Sequence, residues 1–262
     1  MKAIILAAGE GKRLGYLTKD RPKCMVNLFG KSLLQRQIEI FHLCDIFDIS
    51  VVTGYKNEII NLPGITYFKN PKFNTTNMVE TLFCARNKLS GSVIISYGDI
   101  IYESTILKKL IESIDDITVV VDLYWKKYWK MRFTNILDDA ESLVIDEEGF
   151  IQDIGRKVTS LDDICGQYIG LMKFQNNGII DLKKTYDNAK KNSIKLNPLN
   201  PNLPFNKSYM TDLLQTMIKS NLKIRAIPVR NGWLELDSIH DYDLYNKMYD
   251  DNSLSELIKL ET

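Results

Sequence analysis

The chain lacks almost everything that would tie it to an oxidising compartment, a bilayer or a polyanion. Its four cysteines, Cys24, Cys44, Cys84 and Cys165, lie far apart and include no Cys-x-x-Cys pair. That spacing argues against a zinc ribbon and against a disulfide framework, so reduced thiols are expected. Only two histidines are present, His42 and His240, and neither completes a nucleophilic triad or a metal cage. No apolar stretch approaches the roughly 18 residues that cross a bilayer. Met1 leads straight into an apolar run, so neither export nor membrane insertion is expected and the location is read as cytoplasmic. The 34 basic residues are balanced by 33 acidic ones, which removes any bulk attraction to nucleic acid or to an anionic membrane surface. Recognition must therefore be local.

What is present is enough apolar material for one sizeable core. With 45% hydrophobic residues over 262 positions, the chain reads as a single domain, residues 1–262. Strand-like and helix-like segments alternate as in a doubly wound α/β fold with a mostly parallel sheet. Strands are expected at Ala3 to Ala7, Ile49 to Thr53, Ile65 to Phe68, Val93 to Ser96 and Ile117 to Asp122. Between them come a striped helix from Ser32 to Leu43, a helix capped by Asn77 and Glu80 and running to Leu89, and a third from Thr105 to Ser113. The pattern then changes. Leu143 to Asp146 and Phe150 to Ile154, joined by Glu147-Glu148-Gly149, read as a β-hairpin, and a strand from Gly166 to Phe174 follows. A proline-punctuated loop over 197–204, a helix from Tyr209 to Ser220, a strand from Lys223 to Val229 and a terminal helical segment complete the order. The lysine pairs Lys183-Lys184 and Lys190-Lys191 read as a solvated helix face.

The first strand empties into Ala8-Gly9-Glu10-Gly11-Lys12-Arg13-Leu14, and Pro22-Lys23 follows. Gly9 and Gly11 have no Cβ, so the backbone can turn its N–H groups toward anionic oxygens while Lys12, Arg13 and Lys23 neutralise charge. It is not a Walker loop, because Gly11-Lys12 is followed by Arg13 rather than Ser or Thr. Nor is it the dinucleotide fingerprint, whose third glycine would fall at Leu14. Two apolar runs end in carboxylates: Ile94 to Gly98 in Asp99, and Trp233 to Leu236 in Asp237. The C-terminal edge of such strands is where open α/β sheets bind ligands.

The string strand, A-A-G-x-G-x-R-L, then P-K resembles the nucleotidylyltransferases that activate sugar phosphates and small phosphorylated alcohols with a nucleoside triphosphate. The resemblance implies a nucleotide-diphospho-sugar transferase-like fold in which Leu6, Ala7, Ala8, Gly9, Gly11, Lys12 and Arg13 hold the triphosphate and Lys23 meets the phosphates at the reacting phosphorus. It implies Mg²⁺ between Asp99 and Asp237, a cation suited to hard carboxylate and phosphate oxygens. Gly54, Tyr55, Thr76 and Asn77 occupy the slots where relatives contact base and ribose. Residues 1–122 then form the nucleotide-binding half and residues 123–262 the acceptor-binding half, with the hairpin on the acceptor side. There is no trailing hexapeptide array.

The middle of the chain, from Trp125 to Glu141, together with Gly166 to Leu171 and Gly232 to Asp237, looks like the branch that uses CTP on phosphocholine, 2-aminoethylphosphonate or phosphorylated amino acids. Such acceptors carry an ammonium and an anionic phosphorus group, so aromatic faces and carboxylates should meet one end and cations the other. The candidates for that role are Arg132, Asp139, Glu141, Lys157, Tyr168, Trp233 and Glu235. Lys157 matches a lysine that relatives carry in a Glu-Lys-Pro motif, although here Arg156 and Val158 flank it. The implied activity is transfer of CMP from CTP with release of pyrophosphate, catalysed by Arg13, Lys23, Asp99 and Asp237, in a monomer or homodimer serving cell-surface decoration. A sugar-1-phosphate nucleotidylyltransferase using UTP, dTTP or GTP, and a non-catalytic nucleotide-sensing domain, are the alternatives.

Overall fold

The computed structural model describes residues 1–261. Its centre is β1 (Lys2–Ala7), an apolar strand flanked on one side by β4 (Asp48–Thr53) and then β5 (Thr66–Lys69), all parallel. On the other side β1 pairs in parallel with β6 (Val93–Tyr97). Two short strands, β2 (Asn27–Leu28) and β3 (Lys31–Ser32), form a separate ladder after the glycine turn and Lys23. The sheet continues through β11 (Gln167–Phe174), antiparallel to both β6 and β8 (Ile117–Asp122), and ends at β12 (Arg225–Val229), parallel to β8. The spatial order is thus β12-β8-β11-β6-β1-β4-β5. The second half of the chain threads back into this sheet through β11 and β12, so both halves share one framework.

Helices cover both faces, which is why β1, β6 and β8 read as continuous apolar runs rather than alternating ones. One core packs α1 (Leu33–Leu43), α3 (Ser104–Glu112), α4 (Trp125–Arg132) and α7 (Ile239–Asp250) around Phe41, Leu107, Trp125 and Tyr245. The other packs α2 (Met78–Cys84), α5 (Asn176–Asn192) and α6 (Met210–Lys219) around Leu82, Leu182 and Met217. The hairpin is β9 (Glu141–Ile145) and β10 (Ile151–Lys157), turned at Gly149, whose φ is 85°. It lies outside the main sheet and leans on α6 at Gly155, where a Cβ would stand 2.4 Å from that of Thr211.

One local expectation changes. The helix opened by Asn77, whose Oδ1 accepts from the Met78 N–H at 2.9 Å, stops at Cys84 instead of reaching Leu89. Glu80 does not reach back to close a capping box; its carboxylate accepts from the Tyr186 hydroxyl at 2.6 Å. A single tight turn over Arg86–Lys88 then lets Arg86 pair with Asp187 and drops Leu89 into the core. Residues 125–132, to which the sequence reading assigns no element, form a helix, burying Trp125, Tyr128, Trp129 and Arg132 at helical spacing.

The run ending at Asp237 also differs in kind. Only β13 (Trp233–Glu235) is strand, and it pairs antiparallel with β7 (Ile100–Tyr102), Glu235 opposite Ile100. The Leu236 N–H donates to the Asp99 carbonyl at 3.0 Å. This small ladder sets Asp99 and Asp237 side by side.

Candidate active site

The glycine turn closes over Lys23. Gly11 has a φ of 75°, and a Cβ there would lie 2.9 Å from the Cβ of Lys23, so both conformation and space require glycine. Gly98 has the same role on the neighbouring strand: its N–H donates to the Leu6 carbonyl at 2.9 Å, and a Cβ would meet that oxygen at 2.8 Å. Pro22 directs the chain inward, and the Lys23 side chain ends between two carboxylates, 2.7 Å from Asp99 Oδ2 and 2.6 Å from Asp237 Oδ1. The Arg13 guanidinium pairs with the other oxygen of Asp237. Lys12 stays in solvent, 3.7 Å from Glu10.

These charges hold one another. Burial opposes the Lys23 ammonium, but Asp99 and Asp237 outweigh it and keep the group protonated above the ordinary lysine range. Burial likewise opposes the Asp237 carboxylate, and Lys23 and Arg13 pull its pKa below the usual value. Asp241 caps α7 and braces the site from behind, accepting from the Asp237 N–H at 3.0 Å and from the Ser238 N–H at 2.9 Å.

The same pair of carboxylates fits a divalent cation. Their oxygens converge on one point, now the Lys23 ammonium, and Asp99 Oδ1 is buried with no hydrogen-bond partner among the described residues. Two carboxylates with the remaining positions filled by water and phosphate oxygens is the donor set Mg²⁺ takes. Among the described residues no cluster of three or more His, Cys, Asp or Glu forms a closed metal cage.

Two cavities meet at Lys23. The inner one, about 120 Å³, runs under the turn past Ala7, Ala8, Gly9, Thr76 and Asn77 to Phe73 and Tyr97. Leu6 and Asp99 also line it. Gly54 and Tyr55, expected at the base, are not among its lining residues. Gly54 is pinned behind the turn, where a Cβ would be 2.6 Å from both the Ala8 carbonyl and Phe73 Cβ. The Tyr55 N–H donates to Ala8 O at 3.1 Å and its hydroxyl reaches Thr18 O at 3.3 Å, so both brace the turn from outside.

The outer cavity, about 450 Å³, brings Gly9, Gly11, Lys12, Arg13, Lys23, Asp99 and Asp237 together with Asp139, Glu141, Tyr168, Trp233 and Glu235. Trp129, Tyr209 and Thr211, which sequence reasoning did not place here, complete its far wall. Their signal was weak: Trp129 shares the helical stripe of α4, while Tyr209 and Thr211 open a helix that carries no local mark of chemistry. Trp233 shows only an edge, its Nε1 donating to Asp122 Oδ2 at 3.0 Å.

Arg132 does not face the cavity. Its side chain is fully buried, donating to Asp241 at 2.9 Å and to Glu235 Oε2 at 2.8 Å, beneath the carboxylates rather than among them. A buried guanidinium with two carboxylate partners has no reason to swing outward. Lys157 is also displaced from its expected place. It lines a third cavity between the hairpin and α6 and is absent from the walls around Lys23, because β10 carries it away from the sheet edge.

The acidic wall is poorly neutralised. Burial pushes the Glu235 carboxyl up to about 7 against the pull of Arg132. Burial first, and then Asp139 and Asp212, push Glu141 to about 7, and burial raises Asp139 as well. Glu235 has Arg132 beside it, whereas Asp139 and Glu141 have no ion-pair partner among the described residues, and a partly dehydrated carboxylate of that kind is a site for a ligand cation.

A MobA-like NTP transferase domain matches residues 3–137. A CTP:phosphoglutamine cytidylyltransferase of Campylobacter jejuni is 37% identical over 93% of this chain and 98% of its own length. A choline-phosphate cytidylyltransferase of Streptococcus pneumoniae is 32% identical over 43% of this chain and 51% of its own length. Among solved structures, a CTP:phosphocholine cytidylyltransferase of the same organism superposes with a TM-score of 0.74 at 22% identity, covering 95% of this chain and 98% of that one. The glycine turn, the paired aspartates beside Lys23 and these matches together establish that the chain belongs to the MobA-like NTP transferase family and is a nucleotidyltransferase.

Proposed function

We propose that the protein transfers the cytidylyl group of CTP to a small phosphate or phosphonate bearing an ammonium group, releasing pyrophosphate, as an activation step in cell-surface decoration. The observation that carries this reading is the outer cavity itself: a cationic phosphate loop with paired aspartates on one side, and on the other an aromatic wall with Glu235 and with Asp139 and Glu141, which form no ion pair among the described residues. The activities of the Campylobacter and pneumococcal relatives support both CTP and an aminated acceptor.

The chemistry asks little of the protein in covalent terms. An acceptor oxygen, already anionic, attacks the α-phosphorus in line, and the bond to the bridging oxygen breaks with its electron pair leaving on pyrophosphate. Charge is the obstacle, since two anions meet and the leaving group gains more. Lys23, Arg13 and the amides of the turn at Gly9 and Gly11 neutralise and orient the triphosphate. Asp99 and Asp237 would hold Mg²⁺, which when bound supplies further charge neutralisation at the phosphate oxygens. Tyr168 and Tyr209 offer aromatic surface to the ammonium, and the carboxylates of Asp139, Glu141 and Glu235 offer it counter-charge.

A thermal-shift panel of CTP, UTP, dTTP, ATP and GTP with Mg²⁺, followed by pyrophosphate release with candidate acceptors, tests the reading. CTP with an aminated acceptor should be fastest, and Glu235→Gln and Asp139→Asn should raise the acceptor KM far more than the KM for CTP. Faster release with UTP and glucose 1-phosphate would overturn it.

A further inference from the structure

The inner and outer cavities share five lining residues, Gly9, Lys23, Met78, Tyr97 and Asp99. Gly9, Lys23 and Asp99 already have roles at the phosphates and the metal. Met78 is apolar, so Tyr97 is the polar side chain on this border that still lacks a task.

The surrounding structure fixes the Tyr97 ring. Its carbonyl accepts from Gln37 Nε2 at 2.9 Å, and the buried Gln37 is itself held by the Ser96 hydroxyl, which donates to its Oε1 at 2.7 Å. The backbone at the end of β6 is thereby anchored to α1. Beside it, β11 pairs Leu171 with Ser96 and then bulges: three residues separate Tyr168 from Met172, where β8 has only Val120 between their partners Val121 and Val119. Bulges of this kind bend a strand and re-aim its side chains. Gly170 lies in the bulge with a φ of 82°, and a Cβ there would stand 2.6 Å from Tyr97 Cδ2. Glycine at 170 makes the room that the ring occupies. The Tyr168 ring then meets it edge to face, with centroids 5.7 Å apart and planes at 86°.

The hydroxyl is left over. Its polar neighbour, the Tyr168 hydroxyl, donates to Met172 Sδ at 3.7 Å, so Tyr97 Oη has no protein partner in bonding geometry among the described residues. Nor is it sealed in the interior. A donor held on a clamped ring, open to a cavity and without an internal partner, is already organised for a ligand.

A nucleoside in the inner cavity and an acceptor in the outer one would meet at this border. The α-phosphorus, which stays on the nucleoside and gains the acceptor oxygen, then stands beside Tyr97. Resting on that reading of the two cavities, we propose that Tyr97 is a catalytic residue whose hydroxyl donates a hydrogen bond to a nonbridging oxygen of the α-phosphoryl group during transfer. The bonds made and broken are those at phosphorus, and the phenolic proton stays on its own oxygen throughout. A neutral phenol adds a donor without adding charge to a site where Lys23 and Arg13 already supply it.

Tyr97→Phe tests this, because it keeps the ring, its contact with Tyr168 and its fit over Gly170, and removes only the hydroxyl. The melting temperature should hold, while kcat falls on the order of 10- to 100-fold with little change in either KM. Sulfur substitution gives a readout that a structural role would not move. The two diastereomers of α-thio-CTP each replace one nonbridging oxygen by sulfur, a weak acceptor. In the unaltered protein one of them loses the bond from Tyr97; in the variant there is no bond to lose. The oxygen-to-sulfur rate ratio for that diastereomer should therefore shrink about fivefold or more in Tyr97→Phe, and the ratio for the other should not. A kcat within about twofold of the parent, or thio ratios unchanged for both diastereomers, overturns the role of Tyr97. If the parent prefers UTP as donor, the cytidylyl reading falls, and the same comparison with α-thio-UTP still decides Tyr97.

Discussion

Replacing Lys23 with Met should move two measurable quantities in opposite directions. The ammonium lies 2.7 Å from Asp99 and 2.6 Å from Asp237, so the two carboxylate oxygens it joins are within about 5 Å of each other. At an effective dielectric of about 20, two unit charges at that separation repel by about 3 kcal/mol. Lys23 offsets this repulsion in the free protein, and methionine fills similar space without the charge. Catalysis should fall by on the order of 100-fold, because one preorganised donor at the transferred phosphoryl group is worth about 3 kcal/mol. Metal affinity in the absence of nucleotide should rise, since a dication would then relieve the repulsion that lysine relieves now. A gain of tenfold or more needs only about half of the 3 kcal/mol to appear in binding. Calorimetric titration with Mn²⁺, alongside pyrophosphate release, reads both quantities. If the variant binds Mn²⁺ no better than the parent, Lys23 does not stand where the metal would. Near-normal turnover would remove it from the mechanism altogether.

Asp237→Asn should weaken metal dependence, leave Lys23 with Asp99 as its remaining carboxylate and deprive Arg13 of its partner; a Mg²⁺ activation curve superimposable on the parent's would place the metal elsewhere. Because Glu141 and Glu235 titrate near 7 in the fold and near 4.5 when unfolded, the folded protein holds more protons between those values. Stability measured by denaturant midpoint should therefore decline as pH rises from about 5 to 8, and the acceptor KM should decline with it as the ammonium's counter-charge forms; a flat acceptor KM across this window would exclude both carboxylates from acceptor binding. Gly155→Ala should cost more stability than Gly149→Ala, by about 1–3 kcal/mol in thermal denaturation. Both have positive φ, but the first drives a Cβ to 2.4 Å from Thr211, whereas the second meets only the Arg225 guanidinium end at 2.8 Å. Equal melting temperatures would mean that the hairpin is not clamped to α6 there. Arg132→Met should raise the KM for the acceptor and lower the melting temperature together, as Glu235 and Asp241 lose a buried partner; a loss of activity without a loss of stability would return Arg132 to the cavity surface.

Much of this was legible in the chain because it is local. Continuous apolar runs at Ala3 to Ala7 and Ile117 to Asp122 can only be strands buried on both faces, and they are. Gly11 must be glycine because of its own φ, and the turn it makes belongs to a contiguous string of residues. The hairpin announced itself through Glu147-Glu148-Gly149. What sequence could not decide was which distant group each charge would face. Arg132 and Lys157 looked alike as acceptor cations, yet α4 turns one into the core while β10 carries the other into a side cavity. Gly54 and Tyr55 have the residue types of a base pocket but sit on the outer side of the turn. Asp237 could have capped its own helix alone; the β7–β13 ladder instead sets it beside Asp99 and onto a lysine 214 residues away in the chain. Backbone conformation and strand burial follow from neighbouring residues, whereas the pairing of buried charges depends on which surfaces the finished sheet brings together, and only the tertiary structure determines that.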